Sequence, residues 1–280
     1  MDEKKDDKII TAIHKVIKIM MDRVMDKVLN KDPFLPDVHK ANKPLYAALV
    51  PDEIFKGSHF ERRFVTPFGD VWERLACVVA SNNLGSCAIE HSITSNVKSE
   101  QLRRITKVLN SLEHTERGKV KATPNWDKEL NYILAGNGDF IPVTVVCDVF
   151  IEDKKNKKKY SFELKSPLPN SDITKVSKEK ILKLYCMTPK VIDEAFFVLP
   201  YNPYGKKENY AWPYPGRWFD MKKDKVVLMG EEFWNMIGGT GTYQLFISEI
   251  NKLGEEYKLR IYKEFLGLEP PDGIRLKVLE

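Results

Sequence analysis

Long apolar runs are missing from this 280-residue chain. No stretch approaches the ~20 consecutive apolar residues of a membrane-spanning helix, and the first residues, Met1-Asp-Glu-Lys-Lys-Asp-Asp-Lys8, alternate in charge where a secretion signal would be apolar. A cytoplasmic protein with no membrane partner is therefore expected. Cysteine is scarce: Cys77, Cys87, Cys147 and Cys186 stand in mostly apolar surroundings without metal-ligand spacing, so all four are expected as reduced core thiols. The five histidines show no H-x-x-x-H or other ligand spacing, which leaves them structural or exposed. Repeats and low-complexity tracts are absent as well. Charge is close to balanced, and a net +5 permits nucleic-acid binding without requiring it.

At 42% hydrophobic residues the chain can bury a substantial core. One domain over 1–280 is expected, with a helical and loop layer at 1–60, a core at 61–200 and a loop-rich part at 201–280. Ile9, Ile13, Val16, Ile17, Met20, Val24 and Val28 recur at three- and four-residue steps, predicting an amphipathic helix over 8–30. Four prolines between Lys31 and Pro51 predict a connecting loop there. Thr66-Pro67 reads as a cap and first-turn proline, opening a helix that ends at Ser81. Further helices are expected over 100–114 and 171–186, and an apolar strand over 195–199.

The most informative pattern lies between those last elements. Asp148 interrupts the apolar run Val143-Thr-Val-Val-Cys-Asp-Val-Phe-Ile151, and fifteen residues later comes Glu163-Leu-Lys165. Both segments are β-branched and aromatic, and Glu152–Lys159 between them is polar, so they read as a β-hairpin. Alternate strand residues share a face, which puts Glu163 and Lys165 together and Tyr160, Phe162 and Leu164 on the other side. A carboxylate inside an apolar run is costly to bury without a partner or a metal. Two carboxylates, Asp148 and Glu163, with the Leu164 carbonyl make a partial oxygen shell for Mg²⁺, which keeps several waters, and Lys165 would orient or deprotonate a water beside it. An Asp followed by Glu-x-Lys in this setting is the pattern of a metal-dependent nuclease. A base role for Lys165 needs a lowered pKa.

Cations that would meet DNA are Arg62-Arg63, Arg103-Arg104, the lysines Lys175 and Lys178 on the helix after the Glu-x-Lys strand, and Lys206, Lys207 and Arg217 in the aromatic, proline-rich run 201–218.

Four longer runs carry a family likeness: Asn125-Trp-Asp-Lys-Glu-Leu-Asn-Tyr-Ile-Leu-Ala-Gly-Asn-Gly138, Phe162-Glu-Leu-Lys-Ser-Pro-Leu-Pro-Asn-Ser-Asp172, Leu199-Pro-Tyr-Asn-Pro-Tyr-Gly-Lys-Lys207 and Glu232-Phe-Trp-Asn235. Over nearly its whole length the chain resembles the TdeIII group of type II restriction endonucleases, of the PD-(D/E)xK superfamily. The named Pro-Asp pair is here Cys147-Asp148, with Pro142 upstream. The resemblance implies an α/β fold, a restriction-endonuclease-like core whose mixed β-sheet is flanked by helices, with an N-terminal helical layer. It implies Asp148, Glu163 and Lys165 as motif residues, Mg²⁺ as cofactor, and double-stranded DNA cut at a short pseudopalindrome, GGNCC. A glutamate on the helix before the core strands would be Glu73, with Glu90 as the competing choice. Two-fold DNA sites suit a homodimer, and a companion DNA methyltransferase is expected in the same system. Two other readings fit the same residues: a repair or junction nuclease of this superfamily, and a DNA-binding protein with an inactive site.

Overall fold

The segment 143–166 folds back on itself as its residue pattern predicts, and it organises a sheet. In the computed structural model, which describes residues 3–114 and 122–271, β2 (Phe140–Asp153) and β3 (Lys158–Leu164) pair antiparallel, from Val149↔Phe162 to Asp153↔Lys158. The turn is thus only 154–157. Glu152, Asp153, Lys158 and Lys159, expected in the connection because of their polarity, lie inside the strands. Their charges are matched locally: Lys159 stands 3.3 Å from Glu152, and the buried Asp153 carboxylate accepts from the amides of Lys155 and Asn156 and closes the turn.

β1 (Gly85–Lys98) lies antiparallel along the other edge of β2, while β4 (Glu194–Leu199) and β5 (Val227–Met229) extend the sheet from β3 in parallel. Among the described residues this is a mixed sheet of order β1-β2-β3-β4-β5. A parallel step needs a crossover, and α7 (Ser171–Cys186) provides it, with the bounds its sequence predicts and Asn170 capping its first turn by accepting from the Ile173 amide. Ile181, Leu182 and Leu184 of α7 join Val145 and Cys147 of β2 and Ala195, Phe197 and Leu199 of β4 in one core cluster. Each such aliphatic side chain contributes about 1.5–3 kcal/mol by leaving water. Helices α5 (Ser99–Glu113) and α6 (Trp126–Leu134) close this side with Ile105, Val108, Leu109, Leu112, Trp126 and Ile133. Gly138 lets the chain enter β2 against α5: its φ is +107°, and a Cβ there would meet the Ser99 hydroxyl at 2.3 Å. Rings fill the other side, where Phe162 stacks on Phe196 and meets Phe233 of α8 (Glu231–Gly238) edge-on.

These strands and helices form one compact unit, Ala76–Tyr243. A second consists of the residues up to Leu75 together with those from Gln244 onward. In it α1 (Glu3–Asp26) buries Ile9, Ile13, Ile17, Met20 and Val24 as the helical spacing predicts, with Val16 half-buried. Tyr257 on α9 (Thr242–Arg260) donates to Asp22 at 2.6 Å. Two expectations fail in this unit. The 31–51 stretch is not a plain loop: Pro36 and Pro44 stand at the first turns of α2 (Pro36–Asn42) and α3 (Pro44–Leu49), where a missing amide hydrogen costs nothing. The helix predicted over 66–81 belongs to α4 (Asp52–Asn83), which passes through Pro67. Phe60, Phe64, Phe68 and Trp72 follow one another at four-residue steps with ring centroids 5.0–6.2 Å apart, and this packing continues across the proline.

Cys77 and Cys87 are joined in a disulfide with Cα atoms 5.3 Å apart, correcting the expectation of four reduced thiols. The reason is tertiary, since the last turns of α4 and the first residues of β1 lie side by side. Cys147 and Cys186 are free and buried as expected. The 201–280 part is irregular up to β5 and mainly helical from Glu231 to Leu266. Among the described residues no helix is long and apolar enough to cross a membrane.

Candidate active site

Asp148 sits between two fully buried neighbours, Cys147 and Val149. Cys147 and Phe150, three positions apart, share one core cluster, although strict alternation would send them to opposite faces. The break falls at Asp148. Across the β1–β2 ladder, between the pairs Ile89↔Val149 and His91↔Cys147, the facing residue is Glu90, whose φ of +50° is unusual for a non-glycine and costs on the order of 1 kcal/mol. On the other side, rungs between β2 and β3 stop at Val149↔Phe162. There the Asp148 carboxylate replaces the missing rung by accepting from the Leu164 amide at 2.9 Å. Continued by one step, the same register sets Asp148 opposite Glu163.

Glu163 is fully buried beneath α7. Lys180 of α7 places its ammonium 3.0 Å from both Glu163 oxygens and 3.7 Å from Asp148 Oδ1. Lys165 donates to Asp148 Oδ2 at 2.5 Å and lies 3.5 Å from Glu163 Oε2. Those two distances limit the separation of the carboxylate oxygens to 6.0 Å. Lys180 was not singled out in the sequence, because helical spacing alone does not say which lysine of this helix turns toward Glu163.

Burial, reinforced by the Asp148 charge, pushes the Glu163 carboxyl up to about 7 against the pull of the two lysines. Burial would lower Lys165, but Asp148 and Glu163 outweigh it and hold the ammonium above its ordinary value. That is opposite to what a general base requires. Lys165 is built to donate.

The raised carboxyl has a stability consequence. An unfolded Glu163 ionises near 4.5, so below that pH it is protonated in both states and contributes nothing. Between 4.5 and about 7 the unfolded chain loses its proton first and stability falls; above about 7 the full cost, on the order of 3 kcal/mol, is present. Glu163→Gln is expected to raise the melting temperature of the EDTA-treated protein at pH 8 and not at pH 4. Equal shifts at the two pH values would contradict this.

The other predicted residues are dispersed. Glu73 is half-buried on α4 in the first unit; Arg62, in the same unit, is exposed, and Arg63 is half-buried with its guanidinium held by Asp32 at 2.5 Å. Arg103 and Arg104 both grip Glu100, and Lys175 donates to Glu113 at 2.5 Å. Lys207 reaches the Val227 carbonyl and Glu232. Lys206 and Arg217 are exposed, with no ion pair within 4 Å among the described residues. Lys178 does not face solvent and corrects the expectation of a phosphate contact. It is fully buried, paired with Glu129 and bonded to the Trp218 carbonyl, because the α7 face that carries it packs on α6 and on the 201–218 run.

Three type II restriction enzymes of Herpetosiphon aurantiacus are similar to this chain over most of their length. HgiEI is 24% identical over 266 residues, which are 91% of this chain and 93% of the relative. HgiCII is 23% identical over 227 residues (80% and 82%), and HgiBI 24% over 234 residues (80% and 81%). The family model described as "Type II restriction endonuclease, HinfI" matches residues 9–254. With nearly the whole chain inside that match, the protein belongs to the HinfI family of type II restriction endonucleases and is a site-specific deoxyribonuclease.

Proposed function

We propose that Asp148, Glu163, Lys165 and Lys180 form the cleavage centre of this restriction enzyme, that the centre is of the PD-(D/E)xK kind, and that the chain is of the TdeIII group. One observation carries the proposal: two carboxylates from neighbouring strands come within 6.0 Å of each other around two ammonium groups. The metal in this proposal is Mg²⁺, an ion that takes oxygen ligands and keeps part of its water, so that two carboxylates and a carbonyl suffice from the protein. Asp148, Glu163 and the Leu164 carbonyl would hold it. When bound, such an ion polarises the phosphodiester and acidifies water. Lys165, kept protonated, donates to the phosphate oxygen that gains charge as the bond breaks, and Lys180 keeps both Glu163 oxygens oriented. Glu73 remains the proposed helix glutamate; Glu90, the competing choice, faces Asp148 in the β1–β2 register.

The proposed substrate is duplex DNA at GGNCC, cut by a homodimer whose companion is a DNA methyltransferase. Guanine O6 and N7 accept best from Arg and Lys, and the exposed Arg217, Lys206 and Arg62 are the candidates to supply those bonds. A base pair on the dimer axis cannot be read identically on both strands, so tolerance at N follows from symmetry. Sequencing the ends produced from a random duplex library with Mg²⁺ tests this. A GG…CC consensus is the expected result; discrete ends with another consensus would reject the site and keep the nuclease.

A further inference from the structure

The 201–218 run has little regular structure beyond two short turns, Lys207–Asn209 and Pro215–Arg217. It is nevertheless firmly pinned. The Tyr210 hydroxyl donates to the Pro167 carbonyl at 2.9 Å, Trp212 Nε1 to the Pro169 carbonyl at 2.9 Å, and Trp218 Nε1 to the Ser171 hydroxyl at 3.0 Å. The Trp218 carbonyl in turn accepts from Lys178 of α7 at 2.5 Å. Tyr210 is 2% and Trp218 0% exposed, and the Tyr210–Pro167 and Lys178–Trp218 bonds are buried, where leaving a partner unmatched is costly.

All three acceptors of the ring donors lie in one stretch, 167–171. That stretch begins two residues after Lys165 and ends at the first turn of α7, the helix that carries Lys180. Two of its residues are prolines with fixed φ, which leaves it few ways to absorb a displacement locally. The same loop exposes Tyr204, Lys206, Tyr214 and Arg217. One side of a single loop is therefore bonded to the segment between the two site lysines, and its other side is aromatic and cationic.

We infer that the 201–218 loop is a recognition element mounted on the exit of the catalytic strand. Tyr210, Trp212 and Trp218 are positioning residues through which contacts made by Arg217 and Lys206 on DNA govern where Lys165 and Lys180 stand. The inference rests on the assignment of Lys165 and Lys180 to the cleavage centre and of this loop to DNA. It gives a physical route by which cognate sequence, beyond affinity, raises the cleavage rate: the correct bases seat the loop, and the loop seats the lysines.

A double-mutant cycle on the full-length protein decides it. Tyr210→Phe removes one hydroxyl and keeps the buried ring; Arg217→Ala removes the exposed cation; both are then combined, with Trp212→Phe as a second test of the pins. Dissociation constants are measured in Ca²⁺ on a cognate duplex and on one with a single base pair changed, and single-turnover cleavage in Mg²⁺. Tyr210→Phe is expected to leave cognate affinity within about twofold, to slow cognate cleavage about tenfold, and to narrow the rate ratio between the two duplexes. Arg217→Ala is expected to weaken cognate binding about tenfold. In the combined variant the rate loss should fall well short of the product of the single losses. Purely multiplicative losses, or unchanged rates in both Tyr210→Phe and Trp212→Phe, would overturn the coupling. Unchanged cognate affinity in Arg217→Ala and in Lys206→Ala would remove the loop from DNA, and a wild-type protein without cleavage would remove the centre itself; binding and wild-type rates separate these failures from a failure of coupling.

Discussion

Glu163→Ala is expected to reduce DNA cleavage by several orders of magnitude while specific binding in Ca²⁺ survives. The side chain faces Lys165 and Lys180, and in the proposed centre it supplies one of two carboxylates to the metal. Asp148→Ala should be as severe for a second reason, because the Leu164 amide and Lys165 lose their acceptor together. Lys165→Ala should also abolish turnover, since no other ammonium donates to Asp148 Oδ2 at 2.5 Å among the described residues. Retention of more than about a tenth of wild-type single-turnover rate by Glu163→Ala, a difference of only ~1.4 kcal/mol, would sink the assignment. Purified variants must show wild-type far-UV dichroism, and Glu163→Gln supplies a near-isosteric version of the same test.

Lys178→Ala is expected to cost about 3–5 kcal/mol of unfolding free energy, a large part of the ~5–15 kcal/mol that holds a typical domain together. Lys178 is fully buried, its ammonium lies against Glu129 and the Trp218 carbonyl, and the Trp126 and Phe219 rings lie 5.9 and 5.1 Å from it. Burial lowers its pKa and Glu129 resists that. Removing the lysine alone takes the counter-charge from Glu129, whose other oxygen accepts from the Asn125 amide, and the donor from the Trp218 carbonyl. Replacing both partners, Lys178→Met with Glu129→Leu, should restore most of the loss, because two apolar side chains need no counter-charge. Urea denaturation of the three variants measures this. A loss below about 1 kcal/mol for Lys178→Ala would show that water or a neighbouring donor relieves the site.

These two lysines show where reading the chain residue by residue succeeds and fails. The placement of Lys165 beside Glu163 was legible because Glu163-Leu-Lys165 fixes a local relation, and alternation along extended chain is a local rule. Lys178 and Lys180 are two positions apart on one helix, yet one ends in the core against Glu129 and the other in the proposed centre against Glu163. Helical spacing does not say which helix face meets which neighbour. The same limit explains the cysteines: a gap of ten residues between Cys77 and Cys87 carries no sign that a helix end and a strand start are adjacent.

From residue order alone came the amphipathic α1, the hairpin with Asp148 and Glu163 on its strands, α7 with its bounds, and β4. Each depends on contacts within a few residues or across one turn, and short-range sterics and the burial of a periodic apolar face determine those. The chain folding on itself decided the rest. It put β1 on the sheet edge with Glu90 strained opposite Asp148, joined Cys77 to Cys87, buried Lys178, brought Lys180 over Glu163 and bonded the aromatic loop to 167–171. Those pairings join different elements, chosen by which surfaces leave water together, and no pattern within one element encodes that choice.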